Sequence, residues 1–279
     1  MSKILITGDN GYVGSMLKPF LKERGMKIFT FKKKINKSLV KDKSIPRVDT
    51  VVHLAAKTNI PDSWDYKNDF INQNINSTKY ILDYCIKYNS ILIFISSYLY
   101  GNTKIIPTSE NVSLKSLNPY SLSKKICEDI CKFYQKNYGL ELIIIRPFNI
   151  YGPNQDRSRL IANIIYQVKN NKNEITLNSL SQKRDYVYIE DFCDLIYTLI
   201  LNNVKKGIFN LGSGKSYSIN SVVKIIQKIT KDKKTIKTRN VNRRNDVIET
   251  KADVRKLFLL LGWKPKWSLE KGIAKVLKK

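Results

Sequence analysis

The sequence predicts an α/β protein: a doubly wound parallel sheet with a smaller mixed α/β region on the C-terminal side. Short β-rich runs alternate with longer periodic polar-apolar stretches through the first half, the pattern of parallel strands joined by crossover helices. A turn carrying three glycines, Gly8-Asp9-Asn10-Gly11-Tyr12-Val13-Gly14, joins the first run to the first helix. Beyond Arg146-Pro147 the alternation gives way to short runs punctuated by Gly, Asn and aromatic residues.

Taken in order, residues 4–7 read as a strand, 12–24 as a helix, and 28–31 and 50–55 as strands. A helix over 72–88, a strand over 91–96, a helix over 120–138 and a strand over 142–146 continue the series. The stretch 35–48 is short and poor in apolar residues, and carries no clear strand signal. Residues 190–201 read as a further helix and 207–211 as a strand that returns to the first sheet. The expected division is a dinucleotide-binding domain over 1–150, rejoined by 185–213, and a second domain from 151–184 and 214–279.

With 279 residues, 42% of them hydrophobic and 26% charged, the chain has the composition of a globular protein with a real core. No apolar run reaches the roughly 18 residues that span a bilayer. The N-terminus enters a strand pattern at once, without a signal-peptide pattern, so the expected compartment is the cytoplasm. The formal charge of +27 invites a nucleic-acid or membrane partner, but the lysines are scattered along the whole chain. Neither partner is expected; a basic regulatory or nucleic-acid-binding protein stands as the alternative of another class. Cys85, Cys127, Cys131 and Cys193 with the single His53 make no plausible zinc set, so no metal is expected.

In the glycine turn, a residue without Cβ lets the backbone approach a pyrophosphate and lets the helix pack on the strand, with its N-terminus toward the phosphate charge. At the end of the second strand, where an acidic residue would meet the adenosine ribose, stand Lys32-Lys33-Lys34. A cation there suits the 2′-phosphate of NADP, so the expected cofactor is NADP or NAD with NADP favoured.

Tyr120-Ser121-Leu122-Ser123-Lys124 opens a helix and puts a phenol and an ammonium one turn apart. The cation favours the phenolate and draws a group of reference pKa about 10 toward use as an acid/base. Ser96 and Ser97 end an apolar strand at the carboxyl edge of the sheet, where ligands bind in such folds.

These motifs, with His53-Leu54-Ala55-Ala56, Asn74-x-x-x-Thr78, Ser96-Ser97-x-x-Tyr100-Gly101, Arg146-Pro147-Phe148-Asn149-Ile150-Tyr151-Gly152-Pro153, Arg184-Asp185-Tyr186, Asn210-Leu211-Gly212 and Leu261-Gly262-Trp263, fall in the order of the extended short-chain dehydrogenase/reductases. The chain resembles the epimerase/dehydratase branch of that family over nearly its whole length. The resemblance implies a Rossmann sheet, a nucleotide-diphosphate sugar bound by the second domain, and a homodimer. It implies Tyr120 as acid/base, Lys124 on the nicotinamide ribose, and Ser96, with Ser97 as fallback, on the sugar oxygen. For the cofactor it implies Gly8, Asn10, Gly11, Tyr12, Val13 and Gly14, with Lys32, Leu54, Ala55, Ala56, Asn74, Tyr120, Lys124 and Pro147. For the substrate it implies Asn149, Arg184, Arg243 and Asp246 beside Ser96 and Ser97, guanidinium-phosphate bonds suiting the task. His53 carries no implied chemistry.

Dehydratases and decarboxylases of the family carry carboxyls where this chain has Ser97 and Tyr98, and the 3,5-epimerase/reductases carry Cys at the Tyr98 position; those reactions are disfavoured. A 4-ketoreductase for a 4-keto-6-deoxy nucleotide sugar and a 4-epimerase both fit. Lys32 leans toward the reductase, since exchangeable NADPH suits it.

Overall fold

The computed structural model describes residues 2–31, 45–170, 173–239, 241 and 245–278. Two compact units result, one of residues 1–101, 110–147 and 193–210, the other of 102–109, 148–192 and 211–279.

The first unit holds strands β1 (Lys3–Thr7), β2 (Lys27–Thr30), β3 (Thr50–His53), β4 (Ile91–Ile95), β5 (Leu142–Pro147) and β10 (Gly207–Leu211), hydrogen-bonded in the order β10-β5-β4-β3-β1-β2. The pairs β1-β2, β1-β3, β3-β4 and β4-β5 are all parallel. Central strands such as Ile91-Leu92-Ile93-Phe94-Ile95 are buried along their whole length, as a sheet covered on both faces requires. Leu5, Val51, Leu92, Phe94, Leu142 and Ile144 form one apolar face with Ile81, Leu82 and Cys85 of α3 (Lys67–Tyr88) and Cys127 and Cys131 of α4 (Pro119–Tyr138). All four cysteines are free and buried.

The elements fall where the periodicity puts them, with shifted ends. The helix expected over 72–88 begins at Lys67 and follows a short helix, α2 (Ile60–Asp65). Its first residues, Lys67, Asn68 and Asp69, are exposed and polar, so they carry no apolar stripe. The strand expected over 50–55 ends at His53, because Leu54 to Ala56 leave the sheet to form the lip beside Gly8. Residues 35–44 of the stretch without a strand signal lie outside the described residues.

The second unit is built of small sheets. β6 (Asn149–Tyr151) pairs in parallel with β9 (Tyr186–Tyr188), β7 (Glu174–Leu177) with β12 (Thr235–Thr238), and β8 (Lys183–Arg184) runs antiparallel to β11 (Tyr217–Ser218). Helices α5 (Leu160–Asn170), α7 (Ile219–Thr230) and α9 (Leu269–Leu277) pack on them. Gly272 of α9 is required there: a Cβ would stand 2.0 Å from the Tyr151 hydroxyl oxygen. Among the described residues no helix is long and apolar enough to cross a membrane.

Candidate active site

At the cofactor end, Gly8 (φ +74°) turns the chain out of β1, and the Gly11 amide donates to its carbonyl at 3.0 Å. A Cβ on Gly8 would lie 2.8 Å from the Ala55 nitrogen, and one on Gly14 only 2.2 Å from the Gly8 carbonyl oxygen. Gly11 caps α1 (Tyr12–Lys22) without a side-chain bond, and the first turn holds no acidic residue, so its amides face an open, anion-favouring end. This cradle of backbone, which a side chain would fill, fits a pyrophosphate. Asn10 is exposed and Tyr12 and Val13 half-buried around it.

Leu54, Ala55 and Ala56 line the neighbouring lip, where the Ala55 amide donates to Thr7 Oγ1 at 3.2 Å. Asn74 is spent on the protein itself. Its Oδ1 accepts the Lys57 amide at 2.8 Å, and its Nδ2 donates to the Lys57 carbonyl at 3.2 Å and to Ser123 Oγ at 2.8 Å. Its geometry is that of a strut tying the loop after β3 to α3 and α4. Pro147 closes β5 and is buried. His53 is buried between Thr7 Oγ1 (2.7 Å) and Thr78 Oγ1 (3.2 Å), and burial, then the Lys124 charge, lowers its pKa to about 3. It is neutral and structural.

The residues that the resemblance implies for the chemistry stand at the end of β4 and the start of α4. A capping box starts α4: the Ser121 amide donates to Asn118 Oδ1 at 2.8 Å and the Asn118 amide to Ser121 Oγ at 3.0 Å. Pro119 occupies the first turn, so Tyr120 is fixed at the second helical position and Lys124 one turn on. Lys124 Nζ donates to the Ile95 carbonyl at 2.7 Å and packs 4.8 Å from the centre of the Phe94 ring. Burial pushes its pKa below the ordinary lysine value, opposed by Cys127, Cys131 and Glu128. Ser96 follows Ile95 directly and is buried, its amide donating to the Ile145 carbonyl at 2.8 Å. Ser97 is half-buried, and the Tyr98 hydroxyl donates to the Gly101 carbonyl at 2.7 Å. Phenol, hydroxyl and ammonium thus come from the end of β4 and the first turns of α4, tied by the bond from Lys124 to the Ile95 carbonyl, and such groups can give or take a proton at a bound oxygen.

In the second unit, Asn149 Nδ2 donates to the Asp185 carbonyl at 3.1 Å, and Arg184 Nη2 to Asp246 Oδ1 at 2.8 Å. Asp185, quoted in its motif but given no role by the sequence, is the clamp. Its buried carboxylate accepts from the amides of Ser213 (2.6 Å), Gly214 (3.0 Å) and Ala252 (2.9 Å) and from Ser213 Oγ (2.7 Å). Asn102, which no motif signalled, exchanges bonds with the Asp246 carbonyl (3.0 Å) and the Ile248 amide (2.7 Å). Lys32, Lys33, Lys34 and Arg243 lie outside the described residues. Among the described residues no cluster of His, Cys, Asp or Glu is placed to hold a metal.

The family described as NAD dependent epimerase/dehydratase matches residues 4–212. The chain belongs to the NAD dependent epimerase/dehydratase family. It is an enzyme of that family, whose cofactor is NAD(P), as the resemblance implied. A relative described as a putative UDP-glucose 4-epimerase of Methanocaldococcus jannaschii is 31% identical, across 98% of this chain and 96% of its own. The GDP-6-deoxy-D-talose 4-dehydrogenase of Aggregatibacter actinomycetemcomitans is 28% identical, across 93% of this chain and 91% of its own. Among solved structures, the UDP-glucose 4-epimerase of Thermotoga maritima, crystallised with UDP-glucose, superimposes with a TM-score of 0.90 at 26% identity, covering 99% of this chain and 97% of that one.

Proposed function

We propose that this member of the epimerase/dehydratase family oxidises or reduces carbon 4 of a nucleotide-diphosphate sugar, and that its net reaction is reduction of a 4-keto-6-deoxy sugar. The observation that carries the proposal is the buried Ser96 and Lys124, linked through the Ile95 carbonyl, with Tyr120 one turn away on α4. The Gly8 to Gly14 turn, the Leu54 to Ala56 lip and Pro147 would hold the cofactor, which would supply or accept the hydride. Lys124 orients the nicotinamide ribose and favours the Tyr120 phenolate. In the reductive direction Tyr120 gives its phenolic proton to the sugar oxygen, which Ser96 holds by a hydrogen bond. Asn149, Arg184, Arg243 and Asp246 take the nucleoside diphosphate, the guanidinium groups meeting phosphate oxygens.

Ser97 and Tyr98 stand where dehydration or decarboxylation would call for carboxyls, and the Tyr98 hydroxyl is turned to the Gly101 carbonyl. Likeness to a 6-deoxy-sugar 4-dehydrogenase supports the reductive reading. Likeness to two UDP-glucose 4-epimerases favours a second reading, oxidation and re-reduction of the same carbon with retained NAD. The test is a panel of UDP-, dTDP- and GDP-sugars and their 4-keto forms with NADH or NADPH. Consumption of reduced cofactor, NADPH preferred, with a 4-keto sugar is expected; tightly bound NAD and interconversion without net consumption establish the epimerase instead. Tyr120→Phe should lose about 100-fold or more in turnover while still binding cofactor. Near-normal turnover in that variant removes Tyr120 from the mechanism.

A further inference from the structure

A set of buried charges beside the reacting groups has no part in the chemistry above. Glu128 lies on α4 one turn past Lys124 and two past Tyr120, on the same helical face. Its carboxylate is buried and gripped by the buried Arg146 guanidinium, Nε to Oε1 at 2.9 Å and Nη2 to Oε2 at 2.7 Å. Arg146 follows Ile145, the residue whose carbonyl accepts the Ser96 amide. Its Nη1 donates to the Tyr100 hydroxyl at 2.9 Å and to the Glu110 carbonyl at 3.1 Å. The Tyr100 hydroxyl donates to Asn210 Oδ1 at 2.6 Å, and the Asn210 amide to Glu110 Oε1 at 2.8 Å. The pair is therefore held from α4, β5, β10 and the chain after β4.

Ser96 Oγ abuts the Glu128 carboxylate without completing a hydrogen bond of ordinary geometry. A buried hydroxyl left in that state costs stability, and a buried ion pair often adds none over apolar side chains of the same size. Stability is thus a poor account of this cluster. We infer that Glu128, clamped by Arg146, is a positioning residue that holds the Ser96 hydroxyl and the Lys124 ammonium in their working states without touching the sugar.

Around Lys124 stand Cys127, Cys131 and Glu128 on α4, with Tyr120 one turn before it, the Ile95 carbonyl and Phe94 ring on β4, and His53 on β3. Burial keeps the Cys127 and Cys131 thiols protonated and His53 neutral. Burial also pushes the Glu128 carboxyl up, but the Arg146 hydrogen bonds and charge outweigh it and hold the group below its ordinary value. Glu128 is then the full negative charge opposing the cost of burying the Lys124 ammonium.

The inference rests on the proposed use of Ser96 and Lys124, so its test includes a readout that needs no turnover. In full-length protein labelled with 13C-lysine, the Lys124 signal is assigned by its loss in Lys124→Met and titrated without substrate. Glu128→Gln should lower the Lys124 midpoint by about half a pH unit or more. In turnover it should cut kcat about tenfold with KM within about twofold, while Glu128→Asp restores most of both. Because Glu128→Gln strands the buried Arg146 charge, Glu128→Gln/Arg146→Met is prepared beside it; only the half-exposed Lys132 ammonium, 3.3 Å from the Glu128 carboxylate, then loses its partner, and a lowered midpoint and kcat are expected again. An unmoved Lys124 midpoint, or a loss confined to KM, overturns the inference. A lowered midpoint in a protein that turns over no nucleotide sugar upholds it and sinks the proposed function instead.

Discussion

His53 shows at the residue scale how burial decides what a side chain does. It is the only histidine in the chain, yet it sits between two threonine hydroxyls with its pKa drawn from 6.5 to about 3, first by burial and then by Lys124. An unfolded chain takes up this proton near pH 6.5, and the native one does not until about pH 3. The contribution to stability is therefore fully present above about pH 6.5 and is lost as pH falls toward 3, at up to about 1.4 kcal/mol per pH unit. Urea unfolding should show about 1 kcal/mol less stability near pH 5.5 than near pH 7, and His53→Gln should remove that difference. The same pH dependence in His53→Gln would assign it to other groups.

At the element scale, the turn from β1 into α1 distinguishes its glycines. Gly14 has no room for a Cβ, which would meet the backbone of Gly8 at 2.2 Å and of Asp9 at 2.6 Å; at Gly11 the nearest atom is 3.3 Å away. Gly14 is there for packing, whereas Gly11 has room for a Cβ, and the proposed function uses it for the approach of the cofactor. Gly14→Ala should lose about 1 to 3 kcal/mol of stability along with cofactor affinity. Gly11→Ala should stay within about 1 kcal/mol of the native stability and lose cofactor affinity alone. Denaturant unfolding and fluorescence titration with NADH and NADPH separate the two, and equal stability of both variants would contradict the packing described. Helix α4 works by the same logic: its capping box and Pro119 set the position of Tyr120.

At the scale of the whole molecule the extreme quantity is charge, +27 from 50 basic and 23 acidic residues. Lysines occur throughout both compact units. Such a surface attracts polyanions without reading them. Binding to random duplex DNA is expected at low salt and should be lost near physiological ionic strength, with no sequence preference. A tight, sequence-specific complex at physiological salt would make nucleic acid a genuine partner.

The sequence by itself determined the alternation of strands and helices, the glycine turn, the Tyr120/Lys124 spacing and the family, because each depends on residues near one another in the chain. Helix and strand periods, caps and glycine positions are local, and they survive translation into text. Tertiary structure alone decided that Asn74 is spent on Lys57 and Ser123, that Asp185 gathers three backbone amides from two distant segments, and that Arg146 closes on Glu128. Those partners lie 17 to 67 positions apart. Burial, which moves His53 and Lys124 from their ordinary ionisation, exists only once the sheet and its helices have closed over them.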